Sequence, residues 1–304
     1  MKNNITATVI ADSVNEKNVR ITTFELEYPR YIHAEFLVHR QFSRNAASSR
    51  AIPVKKMLKT IKDNPAMPIH WGKNQKGMQA KTEHDALVYL SESESDAVTK
   101  EEAWKEAMHS AIEYATAFSN AGYHKQIVNR ITEPYQIIKV VVTATEWDNW
   151  YELRDHEDAQ PEIRELARKM RAAHDASEPR HLKPGEWHLP YVQGNEKVEH
   201  LIQDDIDAAI RISVSCCAQV SYRVLDDSAE KADKIFDRLV SSRPMHASPL
   251  EHVAMAPKDY ATDCFTHMTF DDRQDFWSGN FRDWIQYRQV YMKSLNDSTG
   301  GQNG

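Results

Sequence analysis

Cysteine is scarce in this chain of 304 residues, which has three, at positions Cys216, Cys217 and Cys264. The count is odd and no CxxC spacing occurs, so the sequence suggests neither a disulfide framework nor a structural zinc site. The first residues lack the layout of an export signal, and no apolar run reaches the roughly 18 residues of a membrane span. We therefore expect a soluble protein of the reducing cytoplasm, with no metal and no membrane partner.

Clustered basic charge and glycine-rich loops are also missing. Lysine and arginine total 38 against 45 acidic residues, which gives a formal charge of −7. A protein that coats nucleic acid needs an excess of basic groups, so we expect no nucleic-acid partner and basic residues that act locally. Neither GxGxxG nor the P-loop motif occurs, which excludes the commonest nucleotide-binding turns.

Apolar residues make up 41% of the chain, enough for a large core. The runs Ala7–Ala11 and Val19–Leu26 are rich in β-branched and aromatic residues and predict strands. A helix is predicted from Thr99, which forms a capping box pattern with Glu102, to the stop at Gly122.

Helical spacing dominates the rest of the chain. Pro134 is a typical helix start before the segment that ends at Arg154, and residues 159–176 repeat the helical pattern. Two more helices are predicted over 198–219 and 228–240, whereas the C-terminal tail is expected to fray. These patterns predict an α+β fold in which a mixed sheet is flanked by long helices.

Prolines and glycines between Glu178 and Asn195 predict a connector without regular structure. The chain then divides into an N-terminal part (1–177), this connector (178–195) and a C-terminal part (196–304). We expect the two parts to complete one domain.

A dense polar cluster occupies Val38–Arg50, with the sequence VHRQFSRNAASSR. Arginine forks bind phosphate through two parallel hydrogen bonds, and small hydroxyl residues let the backbone come close. The stretch therefore suits a nucleotide phosphate. Composition alone leaves open that it is a solvated loop after a core helix.

The same stretch resembles a signature of the flavin-dependent thymidylate synthases, Arg-His-Arg followed by a spaced Ser-x-Arg. His39, Arg40, Ser48 and Arg50 fall in register with it. Downstream, NRITEP contains Arg130, and WYELRDHEDAQPEIR contains Arg154 before an Ala-Gln-x-Glu-Ile run, which is the most specific match.

Two further blocks of this family normally precede these but lie near the C-terminus here, as AQVSY at 218–222 and HASPLEH at 246–252. The rotated order implies a circular permutation, which a domain tolerates when its termini lie close together at the surface. The resemblance covers roughly 20–175 and 210–255, and it implies the thymidylate synthase-complementing-protein fold in permuted form.

The resemblance implies an enzyme that converts dUMP to dTMP, with methylenetetrahydrofolate as carbon donor and with FAD, reduced by NADPH, as reductant. It also implies a homotetramer. Arg154 is the implied catalytic residue, because a fixed guanidinium stabilises negative charge that develops on uracil. The residues implied to bind dUMP are Glu35, Ser48, Ser49, Arg50, Arg130 and Arg154. Those implied to bind FAD are His39, Arg40, Asn149, Ser221, His246, Ser248 and Glu251.

Plainer interpretations accompany some of these roles. Arg154 has the alternative of an ion pair with Glu157 or Asp158 on a helix surface. Ser48 is interpreted as a binding group, since no base is paired with it in the sequence. The adjacent cysteines are interpreted as core residues.

The chain departs from the family at Glu35, Val38 and Ala46, where the family has Gln, Arg and Glu. These changes alter the charge near the ligand and leave open a hydroxymethylase that acts on a pyrimidine nucleotide, or a nucleotide-binding relative without turnover. Residues 67–80 form either a lid or an ordinary exposed loop.

The family's Asn-x-Arg at the flavin site is replaced by Thr143 and Thr145. Our hypothesis is that Asn280, Arg282 or Arg288, in the C-terminal run SGNFRDWIQYRQ, compensates for the lost contact.

Overall fold

A computed structural model describes residues 5–92, 96–221, 225–242, 244–257 and 279–300. Its strands are β1 (Thr6–Asn15), β2 (Arg20–Pro29), β3 (Ser43–Ala46), β4 (Val88–Tyr89), β5 (Ala97–Val98), β6 (Ile137–Ala144), β7 (Arg180–Leu182), β8 (Trp187–His188), β9 (Ala254–Met255) and β10 (Ile285–Gln286). The main sheet has the order β3-β6-β2-β1-β7. Its first four strands pair antiparallel and β7 runs parallel to β1, which confirms a mixed sheet.

Helices surround this sheet and confirm the α+β class. They are α1 (His33–Phe36), α2 (Val54–Asp63), α3 (Lys100–Asn120), α4 (Lys125–Val128), α5 (Asp148–Arg154), α6 (Pro161–Asp175), α7 (Leu201–Asp204), α8 (Ile206–Ala218), α9 (Ala229–Ser241) and α10 (Tyr287–Gly300). Short 3-10 helices in the described part of the chain lie at Arg30–Ile32, Asn129–Tyr135 and Ser248–His252. Within the described ranges, no helix is both long and apolar enough to cross a membrane.

The prediction of a helix that starts at Pro134 is wrong. Residues Ile137–Ala144 form β6, which pairs with β2 on one side and β3 on the other. Its sequence IIKVVVTA is mostly β-branched and nearly all buried, and such a short buried run has no periodicity that separates strand from helix. Helical structure resumes at Asp148.

Other expectations are confirmed. The two N-terminal runs are β1 and β2, and α3 has the capping box, in which Glu102 N donates to Thr99 Oγ1 at 3.3 Å and Thr99 N donates to Glu102 Oε2 at 2.9 Å. Gly122 follows α3 with φ +87°, a value that favours glycine. Helix α6 begins at Pro161, where the Gln160 side chain caps Ile163 N.

The largest core cluster joins the main sheet to α5 and α6. Phe24 and Leu26 of β2 lie fully buried with Leu166 and Met170 of α6 and with Trp150 of α5. Each such side chain stabilises the fold by about 1.5–3 kcal/mol through loss of apolar contact with water. This packing fixes the position of α5 and therefore of Arg154 at its end.

The C-terminal part returns to the same sheet. His252, at the end of its 3-10 helix, lies 2.8 Å from Thr143 of β6 through Nδ1 and Oγ1. The segment 178–195, expected to lack regular structure, contributes β7 to the main sheet and β8 to a small sheet with β9 and β10. The predicted helix over 198–219 is divided at Asp205, which caps the start of α8.

The adjacent cysteines are core residues, as expected. Cys216 and Cys217 lie buried on α8, and burial raises the pKa of the Cys216 thiol to about 12. Cys264 lies outside the described residues.

Candidate active site

Arg154 ends helix α5, which is anchored by the buried side chains of Trp150 and Tyr151. Its Nε donates a hydrogen bond to Nε2 of His39, at 3.0 Å. Among the described residues Arg154 forms no ion pair, so the alternative pairing with Glu157 or Asp158 is not what the structure shows. The remaining N–H groups of the guanidinium have no partner among the described residues and can donate to a ligand.

His39 is held as a neutral acceptor. Its ring stacks on Phe42 at 5.7 Å and meets the Trp150 ring edge-on at 4.7 Å between centroids. Burial, and then the charges of Arg154 and Arg44, lower the pKa of His39 to about 4. A neutral imidazole with a lone pair on Nε2 can accept from Arg154, whereas an imidazolium could not.

Arg44 braces the turn that carries His39. Its Nη1 donates to the carbonyl oxygens of Leu37 at 2.8 Å and His39 at 3.0 Å. Val38 lies within this turn with 66% of its surface exposed. No local pattern predicts the bracing role of Arg44 or the bond between His39 and Arg154, because both depend on tertiary contacts.

A cavity of about 950 Å³ opens beside Arg154. Glu35 lines it, and so do His70, Met78 and Gln79 from the 67–80 segment. That segment therefore borders the candidate site, and its role as a lid or as an ordinary exposed loop stays a prediction.

Glu162 attaches the 67–80 segment to the cavity wall. This buried carboxylate, in the first turn of α6, accepts from Ile69 N at 2.9 Å and from Tyr31 Oη at 3.1 Å, and Gln160 Nε2 is a further partner. Burial, and then Glu162, raise the pKa of Tyr31 well above its usual value, so Tyr31 stays a donor. The Ala-Gln-x-Glu-Ile block is recognisable in the sequence, but this role of its glutamate is not.

Arg50 and Arg130 meet in a second, shallower concavity of about 620 Å³, lined also by Gln126, Ile127 and Ile131. No carboxylate is among the described residues of this lining, although Arg130 lies 3.9 Å from Glu133. None of the five lining residues lines the Arg154 cavity. The structure thus brings Arg50 and Arg130 together, but at a different place from Arg154 and Glu35.

Asn129 connects the Ser48–Arg50 turn to the 3-10 helix that carries Arg130. Its Nδ2 donates to the carbonyl oxygens of Ser49 at 2.7 Å and Ile52 at 2.9 Å. On the other side, Ser48 N donates to Ser221 Oγ at 2.9 Å. Ser221 therefore supports the turn. Asn129 is not among the site residues predicted from the sequence.

The residues predicted to bind FAD differ in their surroundings. Exposed polar side chains with no hydrogen bond or ion pair to the described residues are Arg40, Asn149, His246 and Ser248. By contrast, Glu251 forms an ion pair with Arg288, and His39 is engaged by Arg154.

Asn280 and Arg282 of the C-terminal run contact the two segments in which the chain departs from the family motifs, the one around Val38–Ala46 and the one around Thr143 and Thr145. Asn280 Nδ2 donates to Gln41 O at 2.6 Å, and its Oδ1 accepts from Ser43 Oγ at 3.0 Å. Arg282 N donates to Thr145 Oγ1 at 2.9 Å, and its guanidinium lies 2.9 Å from Glu146.

A family model described as thymidylate synthase complementing protein matches residues 18–179, more than half of the 304 residues. The chain belongs to this family. The match contains the cluster around His39, both arginine-lined regions and α6, and the two C-terminal blocks lie beyond it.

Two solved structures are similar to part of the chain. One is a UMP/dUMP methylase, PolB, from Streptomyces cacaoi, bound with 5-Br UMP, with 16% identity over 57% of this chain and 89% of that chain and a TM-score of 0.43. The other is the flavin-dependent thymidylate synthase ThyX from Helicobacter pylori, complexed with FAD and dUMP, with 17% identity over 51% and 67% and a TM-score of 0.34. Both scores are low, so the family assignment rests on the family model. No curated protein sequence matches the chain.

Proposed function

We propose that the chain is a flavin-dependent thymidylate synthase that converts dUMP to dTMP. Methylenetetrahydrofolate provides the carbon, and NADPH provides the two electrons that turn a methylene into a methyl group. The observation that carries the proposal is Arg154, a guanidinium with no carboxylate partner among the described residues, held at a cavity wall by His39. Family membership supports the substrate.

Arg154 performs an electrostatic role in this proposal. Negative charge develops on the uracil ring as carbon is added, and a preorganised guanidinium stabilises it without reorganisation. Because His39 is neutral, it orients Arg154 without cancelling or adding charge. Glu35, in the same cavity, is a candidate acceptor for a ring N–H of the base.

The phosphate of dUMP suits the concavity of Arg50 and Arg130, which has two guanidinium groups and no acid in its lining. The base and the phosphate are thus assigned to two separate cavities of one chain. We propose that two copies complete each site, with Arg154 from one and Arg50 and Arg130 from the other. This agrees with the expectation of a homo-oligomer.

Some of the residues predicted to bind FAD are exposed and could hold it. Arg40, Asn149, His246 and Ser248 keep polar groups without partners among the described residues, and these groups would hold the cofactor at the surface of this chain. A bound FAD would supply the redox chemistry that links NADPH to the transferred carbon. A purified protein with flavin absorbance would support this assignment, and a colourless one would favour the relative without turnover.

Asn280, Arg282 and Arg288 support the same region from the C-terminal run. Replacement of all three by alanine is expected to weaken flavin and dUMP binding, since it removes the contacts to Gln41, Glu146 and Glu251. Unchanged affinities, measured by titration of flavin fluorescence and by calorimetry, would exclude compensation by these residues.

Incubation with dUMP, methylenetetrahydrofolate, FAD and NADPH, followed by mass spectrometry of the nucleotide, tests the function. A product heavier by one CH₂ group supports thymidylate synthesis. A product heavier by CH₂O identifies the hydroxymethylase, which is favoured by the observation that the altered residue Glu35 lines the Arg154 cavity. An unchanged nucleotide contradicts both.

A further inference from the structure

A second arginine of the Arg154 cavity has no hydrogen-bond or ion-pair partner among the described residues. Arg164, in the first turns of α6, lines this cavity, and its Nε is buried without a hydrogen-bond partner. Its guanidinium forms no ion pair with the described residues. A donor that a ligand buries without a partner costs about 1–3 kcal/mol, so a guanidinium that lines a cavity and has no ion-pair partner among the described residues suits an anionic ligand.

The neighbouring carboxylate is already engaged. Glu162, two residues before Arg164, binds Ile69 N and Tyr31 Oη. Farther along the helix, Arg168 also lines the cavity, but its Nε donates to Asp155 Oδ1 at 3.0 Å. Of these two arginines on one helix, Arg168 has an internal partner and Arg164 has none among the described residues.

The arrangement of N–H groups on a guanidinium indicates which kind of ligand group fits Arg164. A guanidinium offers Nε–H and one Nη–H as a parallel pair along one edge, and this pair matches the two oxygens of a carboxylate or a phosphate. A single carbonyl oxygen or a water would use only one of the two donors. The Arg164 guanidinium therefore suits an anionic group with two oxygens.

The charge of the cavity distinguishes between a carboxylate and a phosphate as the ligand group. The described residues of its lining include five carboxylates and four lysine or arginine side chains, so a phosphate, which places two negative charges on one group, would meet more repulsion there than a single carboxylate group. The Arg50 and Arg130 concavity has two arginines and no carboxylate in its lining, and it suits the dianionic phosphate better. A singly charged carboxylate is the anion that fits Arg164.

We propose that Arg164 binds a carboxylate of the second substrate that enters the Arg154 cavity. The identity of that substrate rests on the proposed function, under which it is the folate, whose glutamate carries the carboxylates. Arg164 is then the residue that recognises the carbon donor by charge, while Arg154 acts on the pyrimidine.

Calorimetry on the full chain tests this with two probes, folic acid and the folic acid diamide in which both glutamate carboxyls are amides. The wild-type protein is expected to bind the acid about tenfold or more tightly than the diamide, as a charge-assisted fork predicts. In Arg164→Gln this ratio falls to about one. Arg168→Gln, the matched control, keeps the wild-type ratio, and dUMP affinity is unchanged in both variants.

The inference is overturned if the wild-type protein does not bind folic acid, if it binds both probes equally, or if Arg164→Gln keeps the preference. It is also overturned if Arg164→Gln weakens dUMP and leaves folic acid unchanged, since Arg164 would then bind phosphate. Arg164→Lys keeps the charge but lacks the fork, and an intermediate ratio is expected should Arg164→Gln fold poorly. Absence of a methylated product together with a wild-type preference that needs Arg164 would refute the proposed function and leave this inference intact.

Discussion

Arg154 is attached to a packed aromatic core through α5 and His39, whereas Arg50 and Arg130 lie in a shallow concavity, with 65% of the Arg130 side chain exposed. The first region is rigid because Trp150 and Phe42 surround its histidine. The second is held through the backbone of its turn by the side chains of Asn129 and Ser221. A charge that must act on a reacting ring benefits from the first kind of support, and one that captures a phosphate can remain at the surface.

Arg154→Ala is expected to have the largest effect. Removal of a preorganised donor lowers kcat by about a hundredfold to a thousandfold, while the core around α5 is kept. Initial rates of dTMP formation and a thermal melt would check both statements. Arg168→Ala, on the neighbouring helix α6, serves as the control, and full activity in Arg154→Ala would remove the role assigned to it.

Mixing two inactive variants tests whether the two regions work across subunits. If Arg154 of one copy and Arg50 of another complete one site, then Arg154→Ala and Arg50→Ala, each of low activity alone at a dUMP concentration below the wild-type KM, should regain activity when they are unfolded, mixed and refolded together. Hybrid oligomers would contain some sites with both arginines intact. Light scattering would establish the assembly, and a mixture as inactive as its components would place the whole site within one chain.

Arg50→Gln and Arg130→Gln are expected to raise KM for dUMP by about tenfold to a hundredfold, as loss of a charged hydrogen bond predicts, with a smaller change in kcat. Binding of deoxyuridine, which lacks the phosphate, should be the same in the variants and the wild type. The exposed Lys55, outside this concavity, supplies the control variant Lys55→Gln. Equal losses for dUMP and deoxyuridine would contradict a phosphate site.

Local pattern was sufficient where neighbours along the chain decide the structure. The capping box of Thr99 and Glu102 gave the start of α3, and the Pro161 helix followed from its spacing. It was insufficient for β6, whose short run is buried between two strands and lacks a period.

The candidate site divides in the same way. Motif spacing pointed to Arg154, Arg50 and Arg130, since blocks of residue types can be recognised in one dimension. The bond from Arg154 to His39 joins residues 115 positions apart, and no pattern of neighbours contains it. For the same reason, the attachment of Ile69 to Glu162 and the orphan Nε of Arg164 could be found only in the folded chain.

The smallest predicted effect is on the pH dependence of stability below neutral pH, and it arises from His39 in the rigid region around Arg154. The pKa of His39 is lowered to about 4, whereas a histidine in the unfolded chain titrates near ~6.5. The unfolded state therefore binds this proton first as pH falls, so the contribution of neutral His39 to stability is complete above ~6.5 and is lost progressively down to about 4. His39→Gln offers Arg154 an amide oxygen that does not titrate, and its melting temperature should fall less than that of the wild type between pH 7 and pH ~5. The other buried histidines are present in both proteins and cancel in the comparison, and His246→Gln is the control at an exposed histidine. A pH dependence of His39→Gln identical to that of the wild type would mean that His39 is not held neutral by its surroundings.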